Sequence, residues 1–250
     1  MHGVRANGLS IPLVCQKALE AGNDMFLISH TPSLQEESWN WLINMIKTNS
    51  AFKSLIKQAV RRILLLKMRT FKGENPFPFI PDVENVYKYV PSLNAPQFFF
   101  ESNCRSATII KASNIPYTPL PQEKILIISQ YQTFLEEGQK RYPQADILRY
   151  NWGTHYTSLT YITQVAKNYD TVIFCLANQN NLGVLQSLKN INLKIFVISA
   201  LTPVYLRDAP WVKSAIAVYG ESRQSFTAGF AVLIGDFAPE GKLPIDFIEP

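Results

Sequence analysis

The 250-residue chain has few of the features that mark disulfide-stabilised, fibrous or membrane-spanning proteins. Its cysteines, Cys15, Cys104 and Cys175, are too few and too far apart in sequence for a disulfide framework or a zinc site. Eleven glycines without a fixed period exclude collagen and low-complexity repeats. No apolar run approaches the roughly 20 residues of a membrane-spanning helix, so we expect no membrane segment.

Motifs for nucleotides and metals are also missing. No GxGxxG follows a predicted strand and no GxxxxGK[ST] occurs, which removes the main support for a nucleotide site. The three histidines, His2, His30 and His155, lack helical spacing, so the sequence predicts no metal and no cofactor. The segment MHGVRANGLS lacks the apolar stretch of a signal peptide.

Apolar residues make up 47% of the chain and charged residues 17%, which predicts a sizeable core in one or two domains. The net charge of +5 is uneven, because residues 47–72 carry eight basic side chains and no acidic one. Such a stretch is either a nucleic-acid footprint or a solvated helix face. No aromatic side chains accompany it in a recognition motif, so we favour the solvated face and expect no nucleic-acid partner.

Residues 1–71 have a mainly helical pattern. A helix is predicted over Pro12–Ala21, ended by Gly22. The short apolar run DMFLIS, residues 24–29, is typical of a strand buried on both faces of a parallel sheet. Apolar residues at helical spacing follow from Trp39 to Met68, with a break near Asn49. Five prolines between Phe71 and Pro96 then predict an extended linker.

From residue 100 onwards, short apolar runs alternate with helical segments. The predicted strands are residues 124–129, 145–150, 170–177, 194–200 and 214–220. This alternation predicts an open, mostly parallel α/β sheet with helices on both faces. The segments after the strands carry amides, hydroxyls and aromatic rings, which suit either a sugar site or ordinary loops. We favour ordinary loops.

Five segments, in order, resemble glycoside hydrolase family 3, specifically its β-N-acetylhexosaminidase branch. ALEAGNDMFLIS resembles the eighth barrel strand with its preceding helix, and QAVRRILLLK resembles the helix that closes the barrel. SATIIKASNIPYTPLPQEKILIIS is similar to the start of the second domain. LTPVYLRD and YGESRQSFTAGFAVLIGDFAPEGKLPIDF are similar to later parts of that domain.

The resemblance implies a (β/α)₈ barrel followed by an α/β domain. A barrel takes about 250 residues, so only its last part fits before the linker. The implied domains are residues 1–71 as a barrel remnant, 72–99 as a proline-rich linker and 100–250 as the family's C-terminal domain. In this branch an Asp nucleophile lies in a Ser-Asp-Asp-x-x-Met segment, and Met1-His2-Gly3 resembles the end of that segment. The nucleophile and the His general acid–base would then precede Met1.

The implied activity is retaining hydrolysis of N-acetylglucosamine-containing glycans, with the carbohydrate bound through the missing barrel. No residue of this chain matches a catalytic role, and Asp24 is not assigned as a nucleophile. His30, at the carboxyl end of the 24–29 run, is the one candidate substrate contact, although a loop role is the simpler interpretation. The loop of residues 178–181, NQNN, lacks the Glu that some relatives use as acid, and Glu221 fits a helix start.

Three functions remain open at this point. The first is a portion of a retaining β-N-acetylhexosaminidase that is inactive alone. The second is a non-catalytic carbohydrate-binding or scaffolding module. The third is an unrelated flavodoxin-like domain, which would need a phosphate loop or an acidic pocket that the sequence does not contain.

Overall fold

The computed structural model describes residues 8–28, 31–74, 76, 78–80, 82–90, 92–151 and 156–243. The chain divides into two compact units, Met1–Val90 and Pro91–Pro250. None of the helices in these described ranges is both long and apolar enough to cross a membrane.

The first unit is helical in its described residues, with α1 (Ile11–Glu20), α2 (Pro32–Thr48), α3 (Ser50–Lys72) and α4 (Val83–Tyr89). The predicted helices and their break are confirmed. Asn49 ends α2 and caps α3, because its side chain accepts a hydrogen bond from the Phe52 N–H. The small core of this unit is built on the buried side chains of Leu19, Leu42 and Phe52.

The strand predicted at residues 24–29 is wrong in the part that the structure describes. Met25–Ile28 is not in a strand, and Met25 and Leu27 are exposed. Ser29 lies outside the described residues. A buried strand needs hydrogen-bonded neighbours, and the described residues of the first unit supply none.

The expected extended linker contains two helices, α4 and the first part of α5 (Ala95–Ser106). Proline excludes a helix interior but is tolerated in the first turn, where its missing N–H has no partner. Pro96 occupies that position in α5. Helix α4 instead starts at Asp82, whose carboxylate accepts a hydrogen bond from the Glu84 N–H.

The second unit is built on one six-stranded sheet in the order β1-β6-β5-β4-β2-β3. All its pairings are parallel except that of the edge strand β1 with β6, so the predicted open, mostly parallel sheet is confirmed. The sequence did not predict β1. The elements are β1 (Thr108–Ala112), β2 (Ile125–Ser129), α6 (Gln132–Arg141), β3 (Asp146–Arg149), α7 (Tyr156–Ala166), β4 (Thr171–Leu176), α8 (Gln179–Ser187), β5 (Lys194–Ser199), a 3₁₀ helix (Pro203–Asp208), β6 (Ser214–Ala217) and α9 (Arg223–Ile234).

Alternate residues of the central strands point to two separate apolar cores. Ile127 and Ile173 pack on the face that is covered by α6 and α9, through side chains such as Phe134 and Phe230. Leu126, Val172 and Phe174 pack on the opposite face, which α7 and α8 cover. Both faces of β2 and β4 are therefore buried, which explains their unbroken apolar sequences.

Helices α6 and α9 pack closely because one position in α6 has no side chain. A Cβ atom on Gly138 would lie 2.7 Å from Cδ1 of Ile127 and 2.8 Å from Cζ of Phe230. Both distances are shorter than van der Waals contact, so this position fixes the height of α6 above the sheet.

Candidate functional site at the carboxyl edge of the sheet

The carboxyl ends of β2 and β4 form the point where the strand order reverses. From β2 the chain moves outwards to β3, and it then returns to β4 and continues through β5 to β6 on the other side. In open α/β sheets, ligands bind in the crevice at such a point. The segments that follow these two strands therefore form the candidate site.

Three polar side chains meet at this point and bind one another. The Asn181 amide donates to Tyr150 Oη at 2.7 Å and to Gln130 Oε1 at 3.0 Å, and its Oδ1 accepts from the Ala177 N–H at 2.9 Å. All three side chains are buried. Burial raises the pKa of the Tyr150 phenol well above its ordinary value, so it stays protonated. This closed network holds the ends of β2, β3 and β4 together without a ligand.

The NQNN loop has a structural role as well. The Asn178 side chain accepts a hydrogen bond from the Asn181 N–H at 3.0 Å and caps α8. Asn178 and Asn181 are thus committed to protein contacts. This outcome agrees with the interpretation as ordinary loop chemistry rather than a preformed sugar site.

Two residues at the same edge have unusual backbone conformations. Leu201, after β5, has φ of 58°, and Tyr219, after β6, has φ of 54°. Non-glycine residues seldom adopt positive φ, and such positions cluster at functional sites. The Tyr219 hydroxyl donates to Thr108 Oγ1 at 3.0 Å, which ties the end of β6 to β1.

The acid–base chemistry available at this edge is limited. Glu221 is the single carboxylate in the sequence of the short loops directly after these strands (130–131, 150–155, 177–178, 200–202 and 218–222), and it is exposed. Burial raises the pKa of the Tyr131 phenol above 10, and the neighbouring Glu221 raises it further. A retaining glycosidase needs two catalytic groups flanking the bond that is cleaved. The described loops at this edge supply one candidate, Glu221, and His155 in the loop after β3 lies outside the described residues.

The amino-terminal edge of the sheet holds a second charged group, Glu123, whose side chain is only 3% exposed. Its carboxylate accepts hydrogen bonds from Thr171 Oγ1, from the Leu120 N–H at 2.9 Å and from Lys194 Nζ at 3.0 Å. Burial raises the pKa of Glu123, but these donors outweigh burial and lower the pKa to about 2. A carboxylate that stays ionised joins the starts of β4 and β5 and cannot act as an acid near neutral pH.

Of the two residues named at the start of the chain, Asp24 and His30, the structure describes Asp24. His30 lies outside the described residues. Asp24 binds the guanidinium of Arg62 through both its oxygens, at 2.6–3.0 Å. The hydrogen bond from Arg62 lowers the pKa of this carboxyl group. Asp24 therefore forms an ion pair with α3, which contains Arg62.

No group of three His, Cys, Asp or Glu side chains that could hold a metal ion occurs in the part of the chain that the structure describes. The basic residues of 47–72 lie mainly along α3. Within the described ranges only Arg62 makes an ion pair; the other six on α3, and Lys47 at the end of α2, have no acidic partner there.

Comparisons with known proteins identify the fold. No family model matches the sequence, and no curated protein matches it. Among solved structures, the chain superposes on a fungal multi-domain GH3 β-N-acetylglucosaminidase with a TM-score of 0.64 and 21% identity over 94% of this chain. A glycoside hydrolase family 3 β-N-acetylglucosaminidase from Paenibacillus sp. str. FPU-7 gives 0.62 and 18% over 94%. A β-glucoside phosphorylase gives 0.60 and 16% over 96%.

The fold is that of part of a family 3 glycoside hydrolase. The sequence resemblance is therefore confirmed at the level of the fold. The chain spans 28% of the fungal enzyme's length, 47% of the Paenibacillus enzyme's length and 46% of the phosphorylase's length. It thus corresponds to less than half of each of these family 3 structures.

Proposed function

We propose that this chain is the C-terminal portion of a retaining β-N-acetylhexosaminidase-like glycoside hydrolase that acts on N-acetylglucosamine-containing glycans. The observation that carries the proposal is the shared fold over 94% of the chain with two β-N-acetylglucosaminidases. In this proposal residues 1–71 are the end of a (β/α)₈ barrel, 72–99 are a linker and 100–250 are the second domain.

The chemistry of the carboxyl edge supports the proposal that the catalytic groups belong to polypeptide before this chain. Double displacement needs a nucleophile and an acid–base group on opposite sides of the glycosidic bond. The edge offers one exposed carboxylate, Glu221, and a set of amides that already bind one another. We therefore assign both catalytic groups to residues before Met1 and expect the chain to be inactive alone.

One observation favours a second candidate, a non-catalytic carbohydrate-binding or scaffolding module. The network of Gln130, Tyr150 and Asn181 is complete without a ligand, as expected for a domain whose role is structural. The two candidates differ in whether catalytic polypeptide belongs to the same protein.

The test is a chromogenic N-acetylglucosaminide assay on this chain and on a version extended upstream in the same reading frame. We expect hydrolysis only by the extended version. Replacing the Asp nucleophile of its Ser-Asp-Asp segment by Ala should reduce turnover by about 10⁴–10⁶-fold. The matched control in the same extended version is Glu221→Gln, which should leave turnover within about twofold because Glu221 has no assigned role.

Activity in this chain alone would contradict the proposal, because both catalytic groups would then lie within residues 1–250. Activity in neither version would contradict it in favour of the non-catalytic module. A large loss in Glu221→Gln would show that the second domain supplies the acid, and would contradict the assignment of both groups to the barrel.

A further inference from the structure

A separate pocket opens at the amino-terminal edge of the sheet, beside the starts of β5 and β6. Its volume is about 400 Å³, within the range of roughly 300–1,000 Å³ that is typical of small-molecule sites. The apolar part of its lining comes from Ile195, Phe196 and Trp211. The polar part comes from Asn114, Lys189, Asn190 and Lys213. The carboxyl edge with Gln130 and Asn181 lies at the opposite ends of the strands.

The cations in this pocket are unbalanced. Lys189, Lys194 and Lys213 line it, and no carboxylate does. Lys194 is held by Glu123 at 3.0 Å. Within the described parts of the chain, the ammonium groups of Lys189 and Lys213 make neither an ion pair nor a side-chain hydrogen bond. Two uncompensated positive charges at one pocket attract a ligand that carries negative charge.

The neutral polar groups are also uncommitted. The side-chain amides of Asn114 and Asn190 make no hydrogen bond to any residue that the structure describes. Each amide offers two donors and one acceptor oxygen, which suits the paired donor and acceptor capacity of hydroxyl groups. By contrast, the side-chain amides of Asn181 and Gln130 in the same unit bind each other.

The apolar wall defines the rest of the ligand. Trp211 is partly buried against the core of the sheet, and Phe196 is buried beneath the pocket. An indole offers a flat apolar surface, which packs well against the C–H face of a sugar ring. A volume of about 400 Å³ fits a single ring with its substituents better than an extended chain.

We propose that this pocket binds an anionic monosaccharide, namely a sugar that carries a phosphate or a carboxylate. Lys189 and Lys213 bind the anionic group, Asn114 and Asn190 bind hydroxyls, and Trp211 packs on the ring. The inference depends on this pocket and not on the proposed glycosidase activity, because binding is measured without turnover.

The experiment is calorimetric titration of the full chain with five probes: N-acetylglucosamine 6-phosphate, glucuronate, uncharged N-acetylglucosamine, inorganic phosphate and AMP. We expect at least one of the two charged sugars to bind, and uncharged N-acetylglucosamine and inorganic phosphate to bind at least tenfold more weakly. Comparing the affinities of N-acetylglucosamine 6-phosphate and glucuronate shows whether the pocket prefers a phosphate or a carboxylate.

Variants locate the binding. Lys189→Ala and Lys213→Ala should each weaken the charged sugar by about tenfold or more, since each removes a charge-assisted contact. Both side chains are exposed, so the fold should remain intact by circular dichroism. Lys167→Ala, which changes an exposed lysine outside the pocket, is the matched control and should leave affinity unchanged.

Several results would overturn the proposal. The first is that neither charged sugar binds at concentrations up to about 10 mM, a limit typical of weak sites. The second is that uncharged N-acetylglucosamine binds as tightly as the charged sugars. The third is that AMP binds more tightly than either charged sugar. An unchanged affinity in both lysine variants would place the binding elsewhere and would overturn it as well.

Discussion

The buried carboxylate of Glu123 should make the stability of the second unit depend on acid. Its pKa is about 2 in the folded chain, against an ordinary value of 4.5. The difference corresponds to about 3 kcal/mol at roughly 1.4 kcal/mol per pKa unit. Because the folded pKa is lowered, this stabilisation is present above pH 4.5 and is lost as the pH falls towards 2. By pH 3 about 2 kcal/mol of it is gone.

The perturbation is Glu123→Gln, which removes the charge and keeps the shape. At pH 7 the variant should be less stable by about 3 kcal/mol, because an amide NH₂ meets hydrogen-bond donors that the carboxylate had satisfied. Between pH 7 and pH 3 the difference between wild type and variant should shrink by about 2 kcal/mol. Glu101→Gln, at an exposed carboxylate of the same unit, is the control and should show no such change.

The assay is urea denaturation followed by tryptophan fluorescence in a chain that carries Trp39→Phe and Trp41→Phe. The two remaining tryptophans belong to the second unit, so the signal reports that unit alone. A difference between wild type and Glu123→Gln that stays constant from pH 7 to pH 3 would refute the reasoning. A difference below about 1 kcal/mol at pH 7 would refute it too, since it would mean that the three donors do not offset the cost of burial.

Three further predictions concern packing. Gly138→Ala should destabilise the second unit by about 1–3 kcal/mol, because the added methyl group clashes with Ile127. Gly183→Ala, in a helix with open space around the position, should stabilise it by roughly 0.5–1 kcal/mol. Equal effects of the two substitutions in urea denaturation would contradict the close approach of α6 to the sheet. Asn181→Ala should cost about 2–4 kcal/mol in the same assay because it leaves buried partners unsatisfied, and a loss near zero would mean that its network adds nothing. Amide hydrogen exchange should be slower in β2, β4 and β5 than in the described helices of the first unit, because six of the described apolar side chains are buried in that unit and forty in the second; equal protection would contradict this.

The central strands were predictable because a strand that is buried on both faces has an unbroken apolar sequence. β2 and β4 are unbroken apolar runs, and no competing helical pattern overlaps them. The edge strand β1 was missed because it is only partly buried and its pairing is interrupted by a register shift between Ile109 and Lys111. The strand predicted at residues 24–29 was wrong in its described part because an apolar run is not sufficient for a strand. A buried strand also needs a neighbouring strand to pair with.

The candidate site was predictable only in part. The sequence located amides after the strands, and the structure places Gln130 and Asn181 there. Their mutual hydrogen bonds depend on β2 lying beside β4, and strand order is not encoded in local periodicity. The pocket near Trp211 left no sequence signal, because Asn114, Lys189 and Lys213 are far apart in the chain and come together only in the folded sheet.

The most direct test of the central claim is to sequence the transcript that encodes this chain through its 5′ end. The proposal predicts an open reading frame that continues upstream of Met1 and encodes most of a (β/α)₈ barrel. That frame should contain a Ser-Asp-Asp segment a few residues before Met1, with a His acid–base loop earlier. An in-frame stop codon directly upstream, with no barrel sequence before it, would contradict the account and leave the non-catalytic module.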